Sequence, residues 1–221
     1  MEPLLEAENL YRFFHAGEDE TLALRGVGLT VRPKEVVAVT GPSGSGKSTL
    51  LSCLAGLDEP DGGMVRIAGE RLSRRPEEER ARVRGRQIGM LFQQENLVGH
   101  LSVSENVRLA RRLGKGDAQA VPLAELLEAC GISHRADARP NHLSGGELVR
   151  GGLAVALAND PKIILADEPT GELDGATADR VLALLHRYAE NGAAVLIVTH
   201  SPAVAGAADR EIRLVDGRVT A

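Results

Sequence analysis

Eight consecutive residues, Gly41-Pro42-Ser43-Gly44-Ser45-Gly46-Lys47-Ser48, have the types and spacing of a loop that wraps the phosphates of a nucleoside triphosphate. Gly41, Gly44 and Gly46 let the backbone curl through conformations closed to other residues, so that successive N–H groups point inward at an anion. Lys47 adds a flexible cation for the β- and γ-phosphates, the Ser48 hydroxyl can ligate Mg²⁺, and Thr49 completes the set. The flanks agree: Val36–Thr40 reads as a buried strand and Lys47–Ala55 as a helix whose positive end faces the loop. A Gly/Ser-rich turn would account for the glycines but not for this setting.

Two further stretches carry chemistry. Ile163-Ile164-Leu165-Ala166 is an apolar strand ending in Asp167-Glu168. A carboxylate at that sheet edge, Asp167, can hold Mg²⁺ directly or through water, and Glu168 can polarise a water for attack on a γ-phosphate. An isolated Asp-Glu pair would be read as solvated acids; beside a phosphate loop it is not. Leu143-Ser144-Gly145-Gly146-Glu147 contains Ser144-x-x-Glu147, a capping box that opens a helix with unpaired N–H groups. A cap alone explains Ser144 and Glu147. It gives no reason for Gly145-Gly146, which remove side chains so that an anion can approach the helix end.

Several elements must position these groups. Residues 4–10 and 22–31 alternate as antiparallel strands, with Gly17-Glu18-Asp19 turning between them. Phe13-Phe14 lie just ahead of that turn, where one ring can stack on a base or pack into the sheet. Asp58–Gly63 is a turn, Met64–Ala68 a short strand, and the Arg-dense segment 71–86, interrupted by Glu77-Glu78-Glu79, a solvated mixed-charge helix. Ile88–Phe92 is a strand followed by Gln93. Ser102-x-x-Glu105 caps a helix through Leu113, and 122–130 has helical spacing again. Strands return at Lys162–Ala166 and Ala194–Thr199 around a helix over Ala176–Glu190, and a final hairpin turns at Asp216-Gly217. The phosphate loop, Gln93, Asp167-Glu168 and His200 each follow a predicted strand. In a mostly parallel sheet they converge on the carboxyl edge, where ligands bind.

At 221 residues the chain suits one domain with a subdomain. It is 43% apolar and 26% charged, which excludes general disorder. A net charge of −5, 2% aromatics and no Trp leave neither a basic groove nor stacking aromatics for nucleic acid. Cys53 and Cys130 lack metal or redox spacing and read as buried thiols in a reducing compartment. The start has no signal-peptide pattern, and no apolar run reaches the roughly eighteen residues of a span, so the chain is expected in the cytoplasm.

In order and spacing the phosphate loop, Gln93 after Phe92, Leu143–Glu147, Asp167-Glu168, Gly171-Glu172-Leu173-Asp174 and Thr199-His200 resemble the ATP-binding subunits of ABC transporters, over essentially the whole length. The resemblance implies an α/β fold: a P-loop NTPase core with a mostly parallel sheet, a small antiparallel β subdomain and an inserted α-helical subdomain. On this chain it divides residues 1–93 and 159–221 (core with β subdomain) from 94–158 (helical subdomain). It implies ATP and Mg²⁺, and two cassettes, expected to be identical chains, closing head to tail on two ATPs. Ser144 and Gly146 of one cassette would contact the γ-phosphate held by Lys47 of the other. Gln93 would sense Mg²⁺ and the helical subdomain, Asp174 would cross the interface, and His200 would hold the γ-phosphate. The family's base-stacking aromatic corresponds to Phe14 rather than Tyr11. The partner implied is an integral membrane permease, with no nucleic acid, which places the chain peripherally on the inner face of the cell membrane. Gly56-Leu57-Asp58-x-Pro60, Phe92-Gln93-Gln94-x-Asn96-Leu97 and Asp167–Asp174 resemble the branch serving lipoprotein release, macrolide efflux, peptide-antibiotic resistance and cell division. A soluble ABC ATPase acting on ribosomes or nucleic acid is the alternative. The chain departs from the family after Glu147: Leu148-Val149, Gly151-Gly152 and Val155 replace polar residues, Ala and Arg. Glycine costs about 1 kcal/mol in a helix interior, so this helix is either less rigid or tightly packed against something.

Overall fold

The computed structural model describes residues 2–16, 19–93, 96–114, 121–171 and 173–220. Gly17 and Glu18 of the expected first turn, with Gln94 and Glu172 of the motifs, lie outside them.

Alternating apolar residues make the first two strands, β1 (Leu5–Ala16) and β2 (Asp19–Val31), longer than the sequence suggests. They pair antiparallel from Leu5↔Val31 to Ala16↔Asp19, with shifts of register that bend the ribbon. β3 (Val36–Thr40) is buried nearly throughout and delivers the chain into the phosphate loop and α1 (Lys47–Leu54). β4 (Gly62–Ile67) and the short β5 (Glu70–Arg71) then return to the antiparallel sheet, whose order is β2-β1-β4-β5. The helix expected across 71–86 therefore begins late, as α2 (Glu77–Gln87). Pro76 sits at its N-cap position, and a residue before proline is disfavoured in helical conformation, so Arg75 stays outside. Glu77, Glu78 and Glu79 fill the first turn and Arg84 and Arg86 the last, matching the helix dipole at both ends.

β6 (Ile88–Leu91) ends one residue earlier than expected, leaving Phe92 in the loop with Gln93. The helical stretch contains α3 (Val103–Gly114), α4 (Leu123–Ala129) and α5 (Gly145–Ala156), with single 3-10 turns at Ser133–Arg135 and Pro140–His142. The capping box that opens α3 is present: Glu105 N–H donates to the Ser102 hydroxyl and Ser102 N–H to the Glu105 carboxylate. β7 (Ile163–Asp167), α6 (Gly175–Glu190), β8 (Ala194–Val198), the short α7 (Pro202–Ala207), β9 (Arg210–Val215) and β10 (Arg218–Thr220) complete the chain.

The second sheet has the order β10-β9-β3-β8-β7-β6, with β9, β3, β8, β7 and β6 parallel and β10 antiparallel at the edge. Its central strands read as unbroken apolar runs because both faces are covered. Ile163, Leu165, Leu196 and Val198 join Val37 and Val39 in a core shared with α1 and the antiparallel sheet. Ile164, Ala166, Val195 and Ile197 face the opposite core, shared with α3 to α7. The final hairpin has the expected turn: Asp216 (φ 47°) and Gly217 (φ 72°) are both left-handed, as a two-residue hairpin of this twist requires. Gly217 is wedged in place. Its N–H donates to the Ser45 carbonyl (3.0 Å), its carbonyl accepts from Arg25 N–H (2.8 Å), and a Cβ there would lie 2.5 Å from the Ala23 oxygen.

Candidate nucleotide site at the carboxyl edge of the sheet

The parallel order puts four chain segments side by side at one sheet edge: the phosphate loop after β3, Thr199-His200 after β8, Asp167-Glu168 at the end of β7, and Phe92-Gln93 after β6. This is the convergence that the sequence predicts, in the spatial order loop, His200, Glu168, Gln93.

Within the loop Gly41, Gly44 and Gly46 have φ of 150°, 77° and 100°, and Gly46 is the left-handed N-cap of α1. The Lys47 ammonium folds back over the loop and donates to the carbonyls of Gly41 and Pro42, each at 2.8 Å. Pro42, Ser43 and Gly44 are exposed, while Ser45 is buried and its hydroxyl has no hydrogen-bond partner among the described residues. A glycine cradle, a mobile cation and an unsatisfied hydroxyl fit a phosphate chain. Thr49 lies in the first turn of α1, directly behind Ser48.

The two acids differ in setting. Asp167 is the last residue of β7, and its Oδ2 accepts from the Ser48 hydroxyl at 3.4 Å. Burial pushes its carboxyl up and the charge of Glu168 adds to that, while Ser48 and Lys47 pull it back down. Among the described residues no group of three or more His, Cys, Asp and Glu gathers to hold a metal. The Ser48–Asp167 pair instead offers two oxygen donors, which suits Mg²⁺, a hard cation that keeps several waters and takes its other ligands from phosphates. Glu168 has φ 46°, a left-handed backbone costly for a residue with a side chain. Its N–H donates to the Val198 carbonyl, and its carboxylate is held by the Thr199 hydroxyl (3.0 Å), His200 N–H (2.8 Å) and His200 Nδ1 (2.7 Å). An ionised carboxylate only accepts, so Nδ1 carries the proton and Nε2 of the exposed imidazole is left for a ligand. Sequence reasoning placed Glu168 and His200 at one edge but not in direct contact.

The signature helix is a separate surface. Ser144 caps α5 through the complete capping box. The Ser144 N–H and hydroxyl both donate to Glu147 Oε2, at 2.9 and 3.1 Å. Glu147 Oε1 takes Arg135 Nε at 2.9 Å, with His134 Nε2 at 3.3 Å. The Ser144 N–H first, and then Arg135, hold the buried carboxylate down to about 2, well below its ordinary 4.5. Gly145 begins the helix, and a Cβ on Gly146 would lie 3.4 Å from Leu173 Cδ2, so the loop ending in Asp174 abuts this helix end. Asp174 itself caps α6, accepting from Thr177 N–H (3.0 Å) and the Thr177 hydroxyl (2.7 Å). Within the chain, Ser144 bonds Glu147 and Lys47 bonds its own loop.

The unusual glycines of α5 have a packing reason. A Cβ on Gly152 would lie 2.5 Å from Asn96 Cβ, and one on Gly151 would lie 3.1 Å from Leu97 Cδ1. Asn96 brackets Phe92, accepting from its N–H and donating to its carbonyl, both at 2.7 Å. Of the two possibilities the sequence left open, tight packing is the one realised: α5 lies directly on the loop that carries the exposed Gln93. Phe14 pairs with Thr21, two residues from Ala23, whose carbonyl would lie 2.5 Å from a Cβ on Gly46. Its ring is 41% exposed, with the Arg12 guanidinium 4.7 Å above its centre; Tyr11 is as exposed, at 40%, and its ring lies against Gly26 and Gly62. Sequence reasoning named Asn96 only as part of the motif after Phe92 and Gly217 only as a hairpin turn, without the contacts they make, and it missed Arg135 altogether.

A phosphate loop, an acid pair and a histidine on the carboxyl edge of a parallel sheet define the class of P-loop NTPases. A family model described as ABC transporter matches residues 24–171. The macrolide export ATP-binding/permease protein MacB 1 of Aeromonas hydrophila is 41% identical over 222 residues, covering 100% of this chain and 34% of that protein. The MacB protein of Shigella flexneri is 40% identical over 99% of this chain and 34% of its own length. The chain thus spans about a third of the curated relatives it matches. Among solved structures, the ATP-binding cassette MJ0796, dimeric in a post-hydrolysis state bound to ADP and Pi, superposes with a TM-score of 0.92 at 37% identity, over 98% of this chain and 97% of that one. The chain belongs to the ABC transporter family, and its fold is that of the family's ATP-binding cassettes.

Proposed function

We propose that the chain is the ATPase cassette of a transport machine, which binds Mg-ATP, closes head to tail on a second, identical cassette and hydrolyses ATP to move a membrane permease. The observation that carries this reading is the row of Lys47, Ser48–Asp167 and Glu168–His200 along one sheet edge. Lys47 swings from its own loop carbonyls to the β- and γ-phosphates, and the N–H groups of residues 43–49 cradle them. Ser48 and Asp167 would hold Mg²⁺, with Gln93 on the same edge, and the ion would supply positive charge against the phosphates. Glu168 accepts the proton of the attacking water, and His200 as the imidazolium, its Nδ1–H on Glu168, donates Nε2–H to the γ-phosphate. Phe14 offers its exposed ring to the base. Ser144, Gly145, Gly146 and Glu147, with Asp174 beside them, form the surface that a partner cassette's ATP meets; the dimeric state of MJ0796 supports that arrangement.

The name ATP-binding/permease of the relatives supports a permease as the moving part. No described helix is long and apolar enough to cross a membrane, so attachment to the inner face of the membrane falls to that permease. A groove of about 270 Å³ beside the Gln93 loop, edged by the exposed Phe92 and Leu113 and floored by Val155, suits an apolar permease segment. These relatives do not favour the alternative of a cassette acting on ribosomes or nucleic acid.

Glu168→Gln tests the reading. ATP binding persists, hydrolysis falls by roughly 100-fold or more, and an ATP-bound dimer accumulates in size-exclusion chromatography. Hydrolysis at the parental rate removes Glu168 from its role.

A further inference from the structure

The signature end of α5 carries a formal negative charge where a phosphate is to arrive. Glu147 sits in the first helical turn, buried, and one of its oxygens is committed to both the N–H and the hydroxyl of Ser144. That contact orients the serine, yet an uncompensated carboxylate in the same turn as Gly145-Gly146 repels the anion the helix end attracts. The second oxygen of Glu147 faces Arg135 at 2.9 Å. The turn that carries Arg135 is held from both sides. The Ala136 carbonyl accepts from the N–H and the hydroxyl of Ser104, each at 2.8 Å, and the Ser133 hydroxyl donates to Glu128 at 2.6 Å. The guanidinium is therefore presented from a fixed base, and its only acidic partner among the described residues is Glu147. His134 stands 3.3 Å from the same oxygen but is more exposed and is charged only when protonated.

We propose that Arg135 is a positioning residue of this surface: it neutralises Glu147 and holds it against Ser144, so that the start of α5 can receive the γ-phosphate bound to a partner cassette. This rests on the head-to-tail reading above. Arg135 acts through Glu147 and touches no phosphate itself. Its contribution belongs to the closing of two cassettes and not to the first binding of nucleotide at the phosphate loop.

The test uses the full chain carrying Glu168→Gln, with sedimentation velocity across an ATP titration to read dimer formation. Adding Arg135→Ala raises the protein concentration for half-dimerisation roughly a hundredfold, about tenfold for the charge-assisted bond lost at each of the dimer's two sites. Arg135→Lys keeps the charge and recovers most of that loss. In a chain that also carries Glu147→Gln no charge remains to neutralise, and removing Arg135 shifts dimerisation less than twofold. A purely structural arginine would not show this dependence on charge at position 147. Equal loss with and without Glu147→Gln, or a matching loss of fluorescent-nucleotide affinity in the monomer, overturns the assignment. A Glu168→Gln parent that stays monomeric in ATP overturns the head-to-tail reading and this role with it, and is told apart by failing before Arg135 is touched.

Discussion

Two glycine-rich stretches of this chain end at helix N-termini, and they are built in opposite ways. In the phosphate loop the glycines take left-handed backbone angles of 150°, 77° and 100°, so the loop's donors are aimed by conformation. Gly145 and Gly146 belong to the helix itself and use no such freedom; what Gly146 contributes is the missing Cβ beside Leu173 and Arg150. The first stretch carries its own cation, Lys47. The second carries an anion, Glu147, compensated by Arg135 from a distant turn. On the proposed function, the first holds a phosphate alone and the second adds to a phosphate already held.

The sharpest way to break that contrast is to remove one group from each side. Lys47→Ala weakens ATP binding to the monomer by roughly a hundredfold, as expected for losing charge-assisted bonds to phosphate. Ser144→Ala keeps monomer affinity near the parental value in a fluorescent-nucleotide titration and lowers steady-state phosphate release. Equal losses of affinity in both variants would merge the two surfaces into one.

A smaller effect separates the helix behind the signature from an ordinary helix. Alanine is the better helix former by about 1 kcal/mol. Gly152→Ala nonetheless destabilises by about 1–3 kcal/mol in urea unfolding, because its methyl group meets Asn96. A stabilised variant would mean that α5 lies loosely on the Gln93 loop.

The smallest effect concerns Asp167. Its pKa is raised in the folded chain, so protonation stabilises the fold below the ordinary value of 3.8, and that contribution is lost as pH rises through the folded value. Asp167→Asn removes the cost of the ionised form. It raises the melting temperature at pH 7 by roughly 2–4 °C, gives no gain at low pH, and loses Mg²⁺-dependent hydrolysis. A melting temperature that falls at pH 7 would show that Ser48 and Lys47 outweigh burial.

The parts of this site that the sequence displays are those where the chemistry dictates residue type. Gly41 to Ser48 must have small residues and one cation in fixed order, and Asp167 must end an apolar strand. The Ser144–Glu147 cap is legible because both partners lie within one turn. Arg135, and the contacts of Asn96 beyond its place in a motif, are illegible for the opposite reason: each acts through a contact that only packing creates, and an arginine or asparagine in a loop has many uses. The helix expected over 71–86 failed locally, where Pro76 overrode a favourable Arg/Glu composition and β5 claimed Glu70-Arg71. Gly151 and Gly152 registered as a departure, but composition does not say whether a glycine loosens a helix or lets it approach a neighbour.

The contact between Gly217 and Ser45 gives the chain a temporal order. The loop at residues 41–48 leaves the ribosome early, yet its brace lies more than 170 residues downstream in the final hairpin. Until that hairpin has been synthesised and docked, the Ser45 carbonyl lacks its partner and β2 lacks the bond from Arg25 to Gly217. Pairings this distant along the chain form late, because loop closure must precede them. A nascent chain thus displays the phosphate loop well before the hairpin that braces it has been made, and the loop's final support is added only when the hairpin docks.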